Sequence, residues 1–314
     1  MPAEPRTLFA ALIVAAVAAC GRPDGAPAAG PVAFDEAAWR PPREADIRAD
    51  SFGASARRGL HLLRFTPESL PAFAISGLRC TSCHQDDGLK PTAAPLTGSH
   101  ARFPKYMPRS GAVVSLADRV NYCFTRSLAG NAVPVASREM TDILAYLAFI
   151  SRDVPVGAQM AGAAGLVAME DTLVGDPERG RVKFGQSCAV CHQQDGSGAG
   201  PIPPLWGPRS FSIGASMARE ERAASFIWHN MPQSAPGSLR PQEAYDLAAF
   251  INSHPRPDSP GKEADWPLGG APGDVPYATA GHAPHRPPSA LVPRTRTAGA
   301  IVPNPPSARR KADQ

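Results

Sequence analysis

The sequence predicts a mainly α protein of two similar helical domains with long irregular connections, and three observations lead to that expectation. A five-residue pattern occurs twice, as Cys80-Thr81-Ser82-Cys83-His84 and as Cys188-Ala189-Val190-Cys191-His192. Each copy is followed by a segment of matching apolar and aromatic spacing, Thr141 to Ile150 and Ala244 to Ile251, with the period of a helix that buries one face. The 36 prolines and 28 glycines among 314 residues leave room for about two small domains plus much irregular chain.

At the N-terminus, Arg6 precedes an uninterrupted apolar run of 12 residues, Leu8 to Ala19. That is too short to span a bilayer and fits a signal peptide, residues 1–19. The run ends in Val17-Ala18-Ala19-Cys20, which resembles a bacterial lipobox and implies cleavage before Cys20 and lipidation of its sulfur. The alternative is an ordinary signal peptide that leaves a free N-terminal thiol, an odd exposed cysteine in an exported protein. Residues 20–47 are then a lipidated N-terminus and linker. The expected location is the periplasm, with the protein held to the membrane by its lipid anchor.

The first domain is expected over residues 48–152. Residues 54–65 take the place of its first helix, ahead of Cys80. In Cys-x-x-Cys-His, the two intervening residues place both thiols over the vinyl groups of one haem, where thioether bonds form, and the adjoining histidine presents its imidazole to the iron. A zinc site or a thioredoxin-type pair is the alternative, but a redox pair needs no trailing histidine and a zinc site has no reason to repeat it in both copies. Two covalently bound haem c groups follow, held by Cys80, Cys83 and His84 and by Cys188, Cys191 and His192. Much of the 43% hydrophobic content is alanine, so the haems must supply a large part of each core.

After a linker, residues 153–174, the second domain spans 175–254. Asp176-Pro177-Glu178-Arg179-Gly180 reads as an N-cap aspartate, a first-turn proline and a helix that runs to Phe184, just ahead of Cys188. In small cytochromes the closing helix crosses the first one, and both units resemble class I cytochrome c domains, each wrapped around one covalently bound haem. Pro95 and Pro204 sit 11 and 12 residues after their histidines. By resemblance to other cytochromes c, the proline region offers a backbone carbonyl to the far ring nitrogen of the haem histidine and fixes its tautomer.

The repeat also points to the distal iron ligands. His192 to Met231 is 39 residues, and Met231-Pro232 looks like the methionine–proline pair of class I cytochromes. His84 to Cys123 is also 39 residues, so Cys123 is the candidate axial thiolate on haem 1. A buried free cysteine is the alternative for Cys123, and Met217 and His229 are lesser candidates on haem 2. A thiolate lowers the potential of haem 1 and a thioether raises that of haem 2, so electrons would run from haem 1 to haem 2.

The surroundings of Cys123 are basic. Arg102, Lys105, Arg109, Arg119 and Arg126 are opposed only by Asp118. Arginine forks suit a small oxyanion, although each could instead pair with a haem propionate or face water.

Three segments carry a closer resemblance: Arg119-Val-Asn-x-Cys123-Phe-x-Arg126-Ser127, Pro203-Pro204-Leu205-Trp206-Gly207-Pro208-x-Ser210-Phe211, and Gly214-Ala215-Ser216-Met217. They resemble the dihaem thiosulfate dehydrogenase (tetrathionate synthase) family, and the likeness runs from about residue 48 to about residue 280. Arg256 to Pro267 resembles the strap that follows the second domain there, here residues 255–282. The resemblance implies oxidative coupling of two thiosulfate ions to tetrathionate, with electrons passed to an external cytochrome c-type acceptor, and a possible reverse reaction. It implies Cys123 as the axial cysteine of the active-site haem, Arg109 and Arg119 as arginines that hold the anions, Ser127 as a nearby polar residue, and Gln85 as part of the lining.

Residues 283–314 are rich in proline, alanine and arginine, and read as a disordered basic tail. Six cations against Asp313 give this tail +5, so the chain's net charge of +4 leaves the rest near −1 and no basis for a nucleic-acid partner. Two other function classes remain open from the sequence. One is a dihaem electron carrier with no substrate of its own; the other is a Sox-type cytochrome that conjugates thiosulfate to a carrier protein.

Overall fold

A computed structural model describes residues 32, 34–158, 160, 165–285 and 291–292. Cys20 and the apolar run before it lie outside the described residues, as does most of the segment beyond residue 285. In that segment Leu291–Val292 pairs in parallel with Arg256–Pro257, a backbone ladder that composition does not anticipate.

Six helices build the frame: α1 (Ser51–Arg64), α2 (Leu116–Tyr122), α3 (Arg138–Phe149), α4 (Pro177–Ser187), α5 (Glu220–Asn230) and α6 (Pro241–Asn252). A short antiparallel hairpin, β1 (Lys105–Met107) with β2 (Ala112–Val114), precedes α2. The helix starts follow from local chemistry. Asp50, Ser115 and Ser137 accept a backbone N–H at the N-termini of α1, α2 and α3, and Asp176 accepts two at α4 ahead of Pro177.

The two units share one crossing. In the first, α1 packs on α3; in the second, α4 packs on α6. Each crossing is close because a glycine faces a backbone carbonyl: a Cβ on Gly59 would lie 2.0 Å from the Asp142 carbonyl oxygen, and one on Gly180 would lie 2.0 Å from that of Asp246. The preceding arginine then clasps the same aspartate. Arg58 donates from Nε to Asp142 at 2.7 Å, and Arg179 donates from Nε to Asp246 at 2.8 Å. Both aspartates are buried, at 4% exposure, so the charge pairing is needed to offset their desolvation. The closing helices expected from apolar spacing thus pack in the same way in both units, as the two halves of one structural repeat.

The units share a continuous apolar core that includes Leu60, Leu63, Ile143 and Tyr146 from the first and Phe184, Ile227, Tyr245 and Leu247 from the second. Polar contacts join them at two further places. The Gly77 N–H donates to the Arg209 carbonyl at 2.7 Å, and Thr92 and buried Asn230 exchange hydrogen bonds of 2.9 and 3.0 Å. After α6 the chain turns back across the first domain, where the Trp266 N–H donates to the Arg109 carbonyl at 2.8 Å.

Candidate functional site

Cys80, Cys83, Cys188 and Cys191 form no disulfides, and each pair leads directly into its histidine. The histidines are held alike. His84 Nδ1 lies 2.5 Å from the Ala94 carbonyl and His192 Nδ1 lies 3.1 Å from the Pro203 carbonyl. In each case the accepting residue immediately precedes the proline singled out in the sequence. With Nδ1 engaged as the donor, Nε2 is the nitrogen left with a lone pair for iron. Thiol pairs, oriented imidazoles and a partly apolar surround fit two covalently attached haems.

Cys123 differs from the other thiols. It opens a π turn, Cys123–Ser127, in which the Leu128 N–H reaches back to the Cys123 carbonyl at 2.9 Å. Although burial would raise the thiol, the Arg119 charge and a hydrogen bond with His84 outweigh it and bring Cys123 down to about 6. Arg119 Nη1 stands 3.0 Å from Cys123 Sγ. The structure thus places the thiol expected opposite His84 beside that histidine.

Three cations gather here. Burial and then the Arg119 charge push Arg102 down, while burial and the charges of Arg102 and Arg119 push Lys105 down. Among the described residues neither Arg119 nor Lys105 forms an ion pair with a carboxylate. Such a like-charged group is costly by itself and is relieved by a bound anion. Arg102 and Lys105 belonged to the basic run read from sequence but carried no assigned role there.

Arg109 lies in a different setting. Its Nε donates to Asp265 at 2.9 Å, and its Nη2 donates to the Gly214 carbonyl and the Tyr277 hydroxyl, both at 2.7 Å. Arg126 stacks on Tyr122, 4.1 Å from ring centroid to guanidinium carbon, and donates to Asp265 at 2.5 Å. Ser127 ends the π turn, and its carbonyl accepts from the Ser212 N–H at 3.2 Å. Gln85 is buried and accepts from Lys90 at 3.0 Å. Asp265 and Tyr277 were missed by residue reasoning. The strap segment contained the only sequence signal for Asp265, and nothing local marks Tyr277.

On the second side, Met231 caps the C-terminus of α5, and Met217 lies in the turn Ser216–Ala218 just before that helix. Both pack on the cluster of Ala93, Leu166 and Phe226 that links the two units. His229 Nε2 is buried and has no hydrogen-bond partner among the described residues. All three distal candidates therefore lie on α5 or at its ends.

Two family models match separate parts of the chain. The family described as SoxA/TsdA, cytochrome c domain, matches residues 74–156, and the cytochrome c family matches residues 177–255. A thiosulfate dehydrogenase of Psychrobacter arcticus is 39% identical over 240 residues, 74% of this chain and 73% of that one. One of Allochromatium vinosum is 41% identical over 228 residues, covering 69% and 83%. The solved thiosulfate dehydrogenase TsdBA of Marichromatium purpuratum superposes with a TM-score of 0.66 at 29% identity, over 71% of this chain and 50% of that one. The chain thus spans half the length of that solved relative.

Proposed function

Because this chain belongs to the thiosulfate dehydrogenase family, we propose that it oxidises thiosulfate at the Cys123 side of its first domain and couples two such ions to tetrathionate. The observation that carries this is the contact between Arg119 Nη1 and Cys123 Sγ, 3.0 Å, inside a group of cations that includes Arg102 and Lys105. Two dianions repel each other strongly unless fixed positive charge stands beside the reacting sulfurs. An electron carrier has no need of that charge around a thiol.

Haem attached at Cys80, Cys83 and His84 and at Cys188, Cys191 and His192 supplies one-electron acceptance, and the remaining chemistry falls to the chain. Arg119 holds the Cys123 sulfur as a thiolate and, with Arg102, Lys105 and Arg109, draws in the first thiosulfate. The Cys123 sulfur bonds to the outer sulfur of that ion, and two electrons leave, giving a Cys123–S–S–SO₃⁻ adduct. The outer sulfur of a second thiosulfate attacks the adduct's outer sulfur. The bond to Cys123 breaks, the cysteine regains its electron pair as thiolate, and tetrathionate departs. Cys188, Cys191 and His192 would hold the second haem with Met231 as its thioether donor, and that haem would hand electrons on to an external cytochrome. The opposite direction, tetrathionate reduction, uses the same groups. Cys20 carries a lipid that holds the protein on the periplasmic side of a membrane, as the Val17-Ala18-Ala19-Cys20 sequence supports.

Mixing the oxidised protein with thiosulfate and following the haem absorption bands tests this. Reduction accompanied by tetrathionate in a ratio of one per two electrons is expected. Unchanged spectra in a protein carrying two haems would leave the electron-carrier function instead.

A further inference from the structure

We infer that Asp265, on the strap after the second domain, is a positioning residue for the anion site of the first domain, orienting Arg109 and Arg126 and setting the positive charge they present to substrate. This rests on thiosulfate oxidation as the activity of that site. Asp265 is 2% exposed. Its Oδ2 accepts from Arg109 Nε at 2.9 Å and from the Tyr277 hydroxyl at 2.8 Å, and its Oδ1 accepts from Arg126 Nη2 at 2.5 Å.

The neighbouring strap residue completes the hold. The Trp266 ring lies 5.0 Å from the Arg109 guanidinium carbon, and its N–H fixes the Arg109 carbonyl. Gly111, in the hairpin turn just after Arg109, has φ +61°, and a Cβ there would lie 2.5 Å from Pro267 Cγ, so the strap seats directly on the turn. Arg109 is thereby held by groups more than 100 residues downstream. Its Nε and Nη2 are committed to protein acceptors, and Nη1 has no partner among the described residues.

The burial of its arginines separates Asp265 from a structural clasp. Asp142 and Asp246 each take the Nε of an exposed arginine, Arg58 or Arg179, from the crossing helix of the same domain, and the second arginine near Asp142, Arg138 at 3.8 Å, is more exposed still. Asp265 instead takes two mostly buried arginines, so the group keeps an excess positive charge. One of its arginines, Arg126, follows Cys123 by three residues in the same π turn. A buried carboxylate shared by two guanidiniums freezes their forks without cancelling their field.

The test uses the full chain with both haems and compares wild type, Asp265→Ala, Tyr277→Phe and Asp246→Asn for thiosulfate kinetics and thermal melting. Loss of oriented anion binding raises KM about tenfold in Asp265→Ala with kcat changed less, since the arginines hold substrate equally in ground and transition states. Tyr277→Phe, which removes one hydroxyl from the same network and keeps the ring, raises KM about threefold. Asp246→Asn lowers the melting temperature and leaves KM unchanged. If Asp265→Ala fails to fold with two haems, the Tyr277→Phe split decides. Folded variants at both positions with KM within about twofold of wild type would overturn the role of Asp265 alone. Absence of any thiosulfate-dependent reduction in wild type would overturn the activity itself, and the role of Asp265 with it.

Discussion

Arg119 Nη1 and Cys123 Sγ, 3.0 Å apart, stand one helical turn from each other at the junction of α2 with the π turn. The i, i+4 spacing puts both side chains on one face, and the π turn that follows carries Arg126 and Ser127. A fixed guanidinium beside a sulfur nucleophile can hold that sulfur as an anion and also meet an incoming dianion.

Removing that guanidinium should therefore impair substrate capture more than folding. Arg119→Gln is expected to lower kcat/KM for thiosulfate about 10- to 100-fold, the range of a lost charge-assisted hydrogen bond. Arg119→Lys should recover part of the loss, because it restores the charge without the fork. Initial-rate kinetics on proteins with matched haem content measure this, and an unchanged kcat/KM would remove Arg119 from the site.

The paired crossings predict how stability depends on pH. Burial acts to raise the Asp142 and Asp246 carboxyls, but hydrogen bonds from Arg58 and Arg179 prevail and hold both below the usual carboxylate range. Their contribution is fully present above the unfolded aspartate value of about 4 and is lost as pH falls through the lower folded values. The melting temperature should be level near neutrality and drop below about pH 4. Asp142→Asn and Asp246→Asn should melt lower at pH 7 and show a shallower acid slope. An acid slope unaltered in both variants would contradict this.

Much of this frame was legible in the sequence because it is local or repeated. The Asp176 cap and the Cys-x-x-Cys-His sites are local, the carbonyls ahead of Pro95 and Pro204 lie 10 and 11 residues from their histidines, and the helix pairs recur in both units. The 39-residue offset from His84 singles out Cys123, a thiol that folds beside that histidine and Arg119. What stayed hidden is long-range. Arg109 meets Asp265 across 156 residues, and Thr92 meets Asn230 across 138, and no period or turn signal encodes such pairs. The π turn at Cys123 was hidden too, since it differs from an α-helix by one residue of register.

The distal ligand of the second haem is open to a direct spectroscopic test, because Met231 and Met217 pack on the same cluster. Met231→Leu should abolish the charge-transfer band of a thioether-ligated ferric haem and lower the haem 2 potential. Met217→Leu should retain the band. The reverse pattern would assign the iron to Met217.

If Cys20 is lipidated, the protein should partition with membranes, and Cys20→Ser should appear in the soluble fraction or remain unprocessed. A soluble wild-type protein with an unmodified N-terminus would refute the anchor.

Cys123, proposed as both the distal ligand of haem 1 and the acceptor of thiosulfate sulfur, can be separated from both roles by Cys123→Met. Both haems should remain attached, since the thioether bonds are made at Cys80, Cys83, Cys188 and Cys191, and the haem 1 potential should rise once the anionic donor is gone. Rapid mixing of the oxidised variant with thiosulfate should give no haem reduction and no tetrathionate, although dithionite still reduces both haems. Turnover near the wild-type rate in Cys123→Met would contradict the account.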